Sequence, residues 1–137
     1  KFEYIHDEIG FNLRLSNINA ALGCAQLEQL NTIIKAKRKI FLDYVKKFKN
    51  LKEIKIIKEP KYTKGNYWLI CLKLEKYSNM KKYLLKKLNN KNINCRAIWK
   101  PLHKLQIYKN IQRDNLNITN KLYKSVINIP SSPSIKL

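Results

Sequence analysis

The chain has 137 residues, 45% of them hydrophobic, and a formal charge of +20 from 29 basic against 9 acidic residues. That is enough chain for a single core but not for two, and the apolar content excludes wholesale disorder. Only Arg14, Arg38, Arg96 and Arg113 are arginines, so the charge is lysine-borne and reads as compositional drift, with salt-dependent adhesion to polyanions as a side effect.

Residues 1–15 read as an extended entry segment with a turn at Gly10. Ser16 is a good N-cap, and apolar residues then recur at helical spacing: Ile18, Ala21, Leu22, Ala25, Leu30, Ile33, Ile34, Phe41, Tyr44, Val45 and Phe48. The spacing predicts one helix over 17–50, with room for a kink in 30–37. Lys35, Lys39, Lys46 and Lys49 form its solvated face.

"IKII" (54–57) is a short strand before Pro60, and "NYWLICLKL" (66–74) is the strongest strand pattern in the chain. Asn79 or Ser78 caps a helix near 79–89. "NINCRAIW" (92–99) returns as a strand, a helix is expected at 116–126, and "INIPSSPSI" (127–135) ends extended. The order predicts an α+β fold: a long N-terminal helix plus a small antiparallel or mixed sheet with packed helices. A helix of over thirty residues exceeds what so small a domain covers, so part of its apolar face is expected to pack outside this chain.

Cys24, Cys71 and Cys95 are far apart and form no CxxC, which argues against a disulfide framework or a zinc site and for a reducing, cytoplasmic setting. Cys24 and Cys71 read most simply as buried small hydrophobes. No metal site is expected from His6 and His103. No window approaches the uncharged apolar length of a membrane span, and residues 1–15 do not read as a signal peptide.

Asn12 and Arg14 alternate with Phe11, Leu13 and Leu15, so an extended segment would place both on one side. An amide donor beside a guanidinium suits a phosphate or carboxylate; a turn asparagine with a surface arginine is the alternative. His6 with Asp7 either orients substrate or stabilises a turn.

"HDEIGFNLRLSNINAALGCAQLEQL" (6–30) closely resembles the start of the C-terminal domain in DegT/DnrJ/StrS-type sugar aminotransferases. "NINCRAIWKPLHKLQIYKN" and "KSVINIPSSPSI" are similar to later segments of the same family, so the resemblance covers essentially the whole chain. The subgroup resembled most serves bacillosamine, legionaminic acid and perosamine pathways. The resemblance implies the small domain of a fold-type I enzyme that uses pyridoxal 5'-phosphate (PLP). Such an enzyme aminates the 4-keto group of a nucleotide-linked sugar, carried on UDP or GDP, with glutamate as a typical amino donor.

The resemblance also implies site roles. Asn12 would reach the PLP phosphate of a neighbouring subunit, with Arg14 in the same neighbourhood. Arg96, Trp99 and His103 would face the sugar-nucleotide cleft, Trp99 stacking on a ring; a core tryptophan and a strand-end histidine are the alternatives. On this reading 1–15 is an inter-domain segment and 16–137 the C-terminal small domain. The large domain with the Schiff-base lysine is expected outside this chain, and no catalytic residue is expected within it. A homodimer would form through the large domain and the 17–50 helix. The rival readings are a non-catalytic interaction remnant and a basic nucleic-acid-binding domain.

Overall fold

The computed structural model describes residues 5–76 and 78–135; residues 1–4 of the entry segment lie outside the described residues. Eight helices and strands follow in chain order: α1 (Asn17–Glu28), α2 (Leu30–Phe48), β1 (Ile54–Ile56), β2 (Ile70–Leu74), α3 (Lys81–Asn90), β3 (Arg96–Ala97), α4 (Asn117–Ser125) and β4 (Val126–Ile129). The expected α+β class holds, and the sheet is antiparallel throughout, in the order β1-β2-β4-β3.

The single helix expected over 17–50 is two helices. Gln29 sits between them with its N–H bonded to the Gln26 carbonyl at 3.2 Å, a three-residue turn that interrupts the α ladder. Ser16 caps α1 as expected, its hydroxyl accepting the Asn19 N–H at 3.4 Å. Neither Ser78 nor Asn79 caps α3; both lie in a 3-10 turn (Ser78–Met80), and α3 has no side-chain cap.

The strands are shorter than their patterns. β2 begins at Ile70 rather than Asn66, and β3 keeps only two of the residues expected over 92–99. The stretch 127–135, expected to end extended, starts so: its first residues belong to β4, which begins one residue earlier at Val126 and is an inner strand paired with both β2 and β3.

The core forms because α2 turns Ile40, Phe41 and Tyr44 toward alternate residues of the inner strands, Ile70, Leu72 and Leu74 from β2 and Ile127 and Ile129 from β4. Ile56 of β1, Leu85 of α3, Cys95 and Ala97 complete it. Ile70 and Ile127 are all but sealed from solvent, and burying such a side chain contributes about 1.5–3 kcal/mol. On the other face Cys71, Asn128 and Arg96 stand in register across β2, β4 and β3. Asn128 is buried there, and its carboxamide oxygen accepts the Cys71 thiol at 3.3 Å, so a polar side chain is tolerated inside the sheet because it has a partner.

α1 is built differently. None of its residues is buried, and Ile18, Leu22 and Leu27 are exposed, as are Phe11, Leu13 and Leu15 before it. Cys24, expected to be buried, is exposed, and Cys71 is half-buried. No helix among the described residues is long and apolar enough to cross a membrane.

Candidate functional site

The expected site residues fall into separate places. His6, Asn12 and Arg14 lie on the exposed entry segment. The turn there is not at Gly10, which has no positive φ; it is at Asn12–Arg14, where the Asn12 Oδ1 accepts the Arg14 N–H at 3.0 Å. Arg14 takes φ 65°, so the alternation that would have put both side chains on one side of an extended strand does not apply. The turn instead fixes the chemistry of the amide. With one lone pair of Oδ1 engaged by the backbone, Nδ2 is the donor that this exposed side chain can offer. An exposed amide donor suits an anion.

Arg96 and Trp99 are brought together at the outer end of β3, the guanidinium carbon 5.6 Å from the indole centroid. Trp99 is 48% exposed, which excludes the core reading. His103 is not part of this pair. It sits in a 3-10 turn (Leu102–Lys104) rather than at a strand end, with Nε2 3.2 Å from the Asn120 Oδ1 of α4.

Residues beyond those expected complete the cluster. Trp68 stands 5.7 Å from Trp99, centroid to centroid, with the rings tilted by 37°. Its carbonyl accepts from Lys37 Nζ at 3.2 Å and Ser131 Oγ at 2.7 Å, while Lys37 also donates to the Ser131 carbonyl at 2.7 Å. Burial between these groups lowers the Lys37 pKa. One α2 lysine thus ties the start of β2 to the segment following β4.

A second α2 residue secures the loop between β1 and β2. Arg38 clasps Glu59 with both terminal guanidinium nitrogens, at 2.5 and 3.2 Å, and donates from one of them to the Gly65 carbonyl at 2.6 Å. The Gly65 N–H returns a bond to the Glu59 carboxylate. The Arg38 hydrogen bond, then the Gly65 N–H, hold the Glu59 pKa at about 2. Sequence pattern missed Trp68 because 66–74 reads as strand; the available signal was Asn66, two residues earlier, whose Oδ1 accepts the Trp68 N–H at 2.9 Å. Among the described residues no group of three or more His, Cys, Asp or Glu is placed to hold a metal ion.

The sequence matches the DegT/DnrJ/EryC1/StrS aminotransferase family over residues 1–137. It is 35% identical over 133 residues to GDP-perosamine synthase of Escherichia coli O157:H7, covering 97% of this chain and 35% of that protein. It is 34% identical over 139 residues to EpsN of Bacillus subtilis (strain 168), provisionally named a pyridoxal phosphate-dependent aminotransferase, covering 96% of this chain and 35% of that protein. Among solved structures, Helicobacter pylori PseC, an aminotransferase involved in the biosynthesis of pseudoaminic acid, superposes with a TM-score of 0.80 at 24% identity, over 96% of this chain and 36% of that one. The chain spans about a third of the length of the curated relatives it matches.

Proposed function

The chain belongs to the DegT/DnrJ/EryC1/StrS aminotransferase family, and from that premise we propose that it acts as the small domain of a PLP-dependent nucleotide-sugar aminotransferase. The complete enzyme would move an amino group, with glutamate as donor, to the 4-keto group of a sugar carried on GDP or UDP, for surface-polysaccharide synthesis in the cytoplasm. Support comes from the family match and from relatives named for perosamine synthesis and PLP dependence. The interaction-remnant and nucleic-acid readings have no comparable support.

When bound, PLP supplies the electron sink for amino transfer; this chain's share is to hold and to assemble. The Asn12–Arg14 turn is the observation that carries the reading. A phosphate needs donors, and the turn engages the Asn12 amide oxygen while its Nδ2 donor stays on an exposed side chain, two residues from Arg14 in the chain. Asn12 Nδ2 would donate to the cofactor phosphate of a partner subunit, and Arg14 would add charge complementarity. The exposed Phe11, Leu13, Leu15, Ile18, Leu22 and Leu27 would pack against the cofactor-binding domain and the partner, closing a homodimer. Arg96 and Trp99 would line the sugar-nucleotide cleft, with His6 and His103 as further substrate contacts.

The test uses the complete dimeric enzyme. Losing a hydrogen bond to a charged group costs roughly 1.5–3 kcal/mol, or about ten- to over one-hundred-fold in affinity. Asn12→Ala should release PLP to that extent, more so on dilution, because the contact is made across the dimer. Asn12→Asp keeps the acceptor for the Arg14 N–H but sets a carboxylate against the phosphate, so it should lose more cofactor with the turn intact. PLP retention by Asn12→Ala equal to wild type at every protein concentration would overturn the assignment.

A further inference from the structure

Two aromatic neighbours, Tyr67 and Trp68, are sent to opposite fates by one local distortion. Tyr67 takes φ 49°, a left-handed conformation that is an outlier for an aromatic residue and costs energy unless the surroundings impose it. The surroundings do impose it. The Tyr67 ring stacks on Phe41 of α2 at 3.9 Å and 11°, and the Arg38 guanidinium lies 5.2 Å from its centroid. Asn66 holds the Trp68 N–H, and Lys37 and Ser131 hold the Trp68 carbonyl. The Trp68 backbone is therefore fixed at both polar groups while its side chain stays 59% exposed.

Trp99 meets it there. Each indole could have been buried for a large gain, yet both are left in solvent, touching each other and flanked by Arg96. Strain and hydrogen bonds are thus used to present a large apolar surface, a pattern that points to a ligand rather than to stability.

We propose that Trp68 and Trp99 form a stacking platform for the purine base of a nucleoside diphosphate, with Arg96 serving its phosphates. This deepens the nucleotide-sugar reading above and rests on it for the class of ligand. The geometry selects the mode of stacking. A sandwiched ring needs two parallel planes about 7 Å apart, one contact distance on each side; the indoles are closer than that and tilted. With the rings tilted by 37°, a flat base stacks face-on against one indole and meets the other at an angle, on one side of the pair. A bicyclic purine reaches over both indoles, whereas a pyrimidine covers little more than one. A guanidinium at the Trp99 end supplies the charge that a diphosphate needs.

The chain has two tryptophans, and both are in the platform, so the two indole N–H signals in a 15N-labelled spectrum of the 137-residue protein report on it alone. GDP, UDP and inorganic pyrophosphate are titrated separately at near-physiological salt. The expected result is saturable shifts of both indole signals with GDP, at a concentration roughly tenfold below that for UDP, since stacking strength follows ring overlap. Pyrophosphate should leave the indole signals in place. Trp68→Leu should weaken GDP binding about tenfold or more, read on the Trp99 signal, and Trp68→Tyr should restore most of it. Lys37→Met, which touches no ligand, should weaken GDP binding while leaving the core signals of Ile70 and Ile127 unshifted.

Equal binding of GDP, UDP and pyrophosphate would overturn the platform in favour of charge attraction to a basic chain. So would the absence of any saturable shift, or a Trp68→Leu protein that binds GDP as well as wild type. None of these results bears on cofactor retention by Asn12→Ala, so the platform and the aminotransferase reading fail separately.

Discussion

The segment from Ile5 to Glu28 and the body from Leu30 onward have similar apolar content and opposite fates. In the body, α2 has one buried stripe, Ile40, Phe41 and Tyr44, and every element of the sheet packs on it or beside it. In the leading segment Leu, Ile and Phe are distributed around the chain, and none is buried. Ser16 caps α1, and little else holds it; the body is held by strand pairing and by long-range grips such as Lys37 to Ser131, Arg38 to Glu59 and Tyr44 to the Pro130 carbonyl. One region encodes a fold, and the other encodes a surface whose apolar residues make sense only with something placed against them.

The largest test of this contrast is the same deletion made in both regions. Ile127→Ala in the body should destabilise the 137-residue chain by about 2–5 kcal/mol, because the cavity lies in a sealed core. Leu22→Ala in α1 should change stability by no more than about 0.5 kcal/mol. Urea unfolding of both variants decides it. A cost at Leu22 comparable to that at Ile127 would mean that α1 is packed in solution and that the two regions are not distinct.

Thiol labelling sharpens the contrast at three positions. Cys24 is exposed on α1, Cys71 is half-buried and bonded to Asn128, and Cys95 is buried, its pKa pushed up to about 11 by burial. A neutral thiol reagent at pH 8 should modify Cys24 at least about a hundredfold faster than Cys95, which must wait for the core to open. Comparable rates at Cys24 and Cys95, followed by peptide mass spectrometry, would contradict the burial of Cys95 just before β3.

Legibility in the sequence divides along the same line. α2 could be read because its stripe keeps one period, and Ser16 because a cap acts locally. For β4 the extended backbone was legible but its inner position was not, because the pairing that makes it an inner strand is set by β2 and β3, far away in sequence. The Gln29 break carries neither Gly nor Pro. At Asn66–Trp68 strand propensity favoured β, but the Asn66 side chain and the Tyr67 stack on Phe41 won. In the candidate site, the amide and guanidinium of Asn12 and Arg14 were legible as residue types, while their presentation was not: the turn comes from a side-chain bond and a positive φ at Arg14, not from Gly10.

An acid titration tests one of the grips that the leading segment lacks. The Glu59 pKa is depressed in the folded chain, so its contribution is complete above the ordinary carboxylate value of 4.5 and is lost as pH falls through about 2. The Gly65 amide, bonded to that carboxylate, should keep its NMR position until pH nears 2–3 and then move. In Glu59→Gln that titration should vanish. A wild-type midpoint near 4.5 would show that Arg38 does not hold the loop in solution.

The smallest expected effect lies at the cap of α1. Ser16 satisfies one of the orphan N–H groups at the start of a helix that has no buried residue to stabilise it. Ser16→Ala should therefore cost about 1 kcal/mol of local helix stability. Because α1 joins the body through the single interrupted turn at Gln29, that loss should stay in α1. Amide exchange should quicken several-fold over Asn17–Glu28 and stay unchanged in α2, which has no side-chain cap to lose and is held by its buried stripe. If exchange in α2 quickened equally, the two helices would open as one unit, and the single helix expected from the sequence would be the better description in solution.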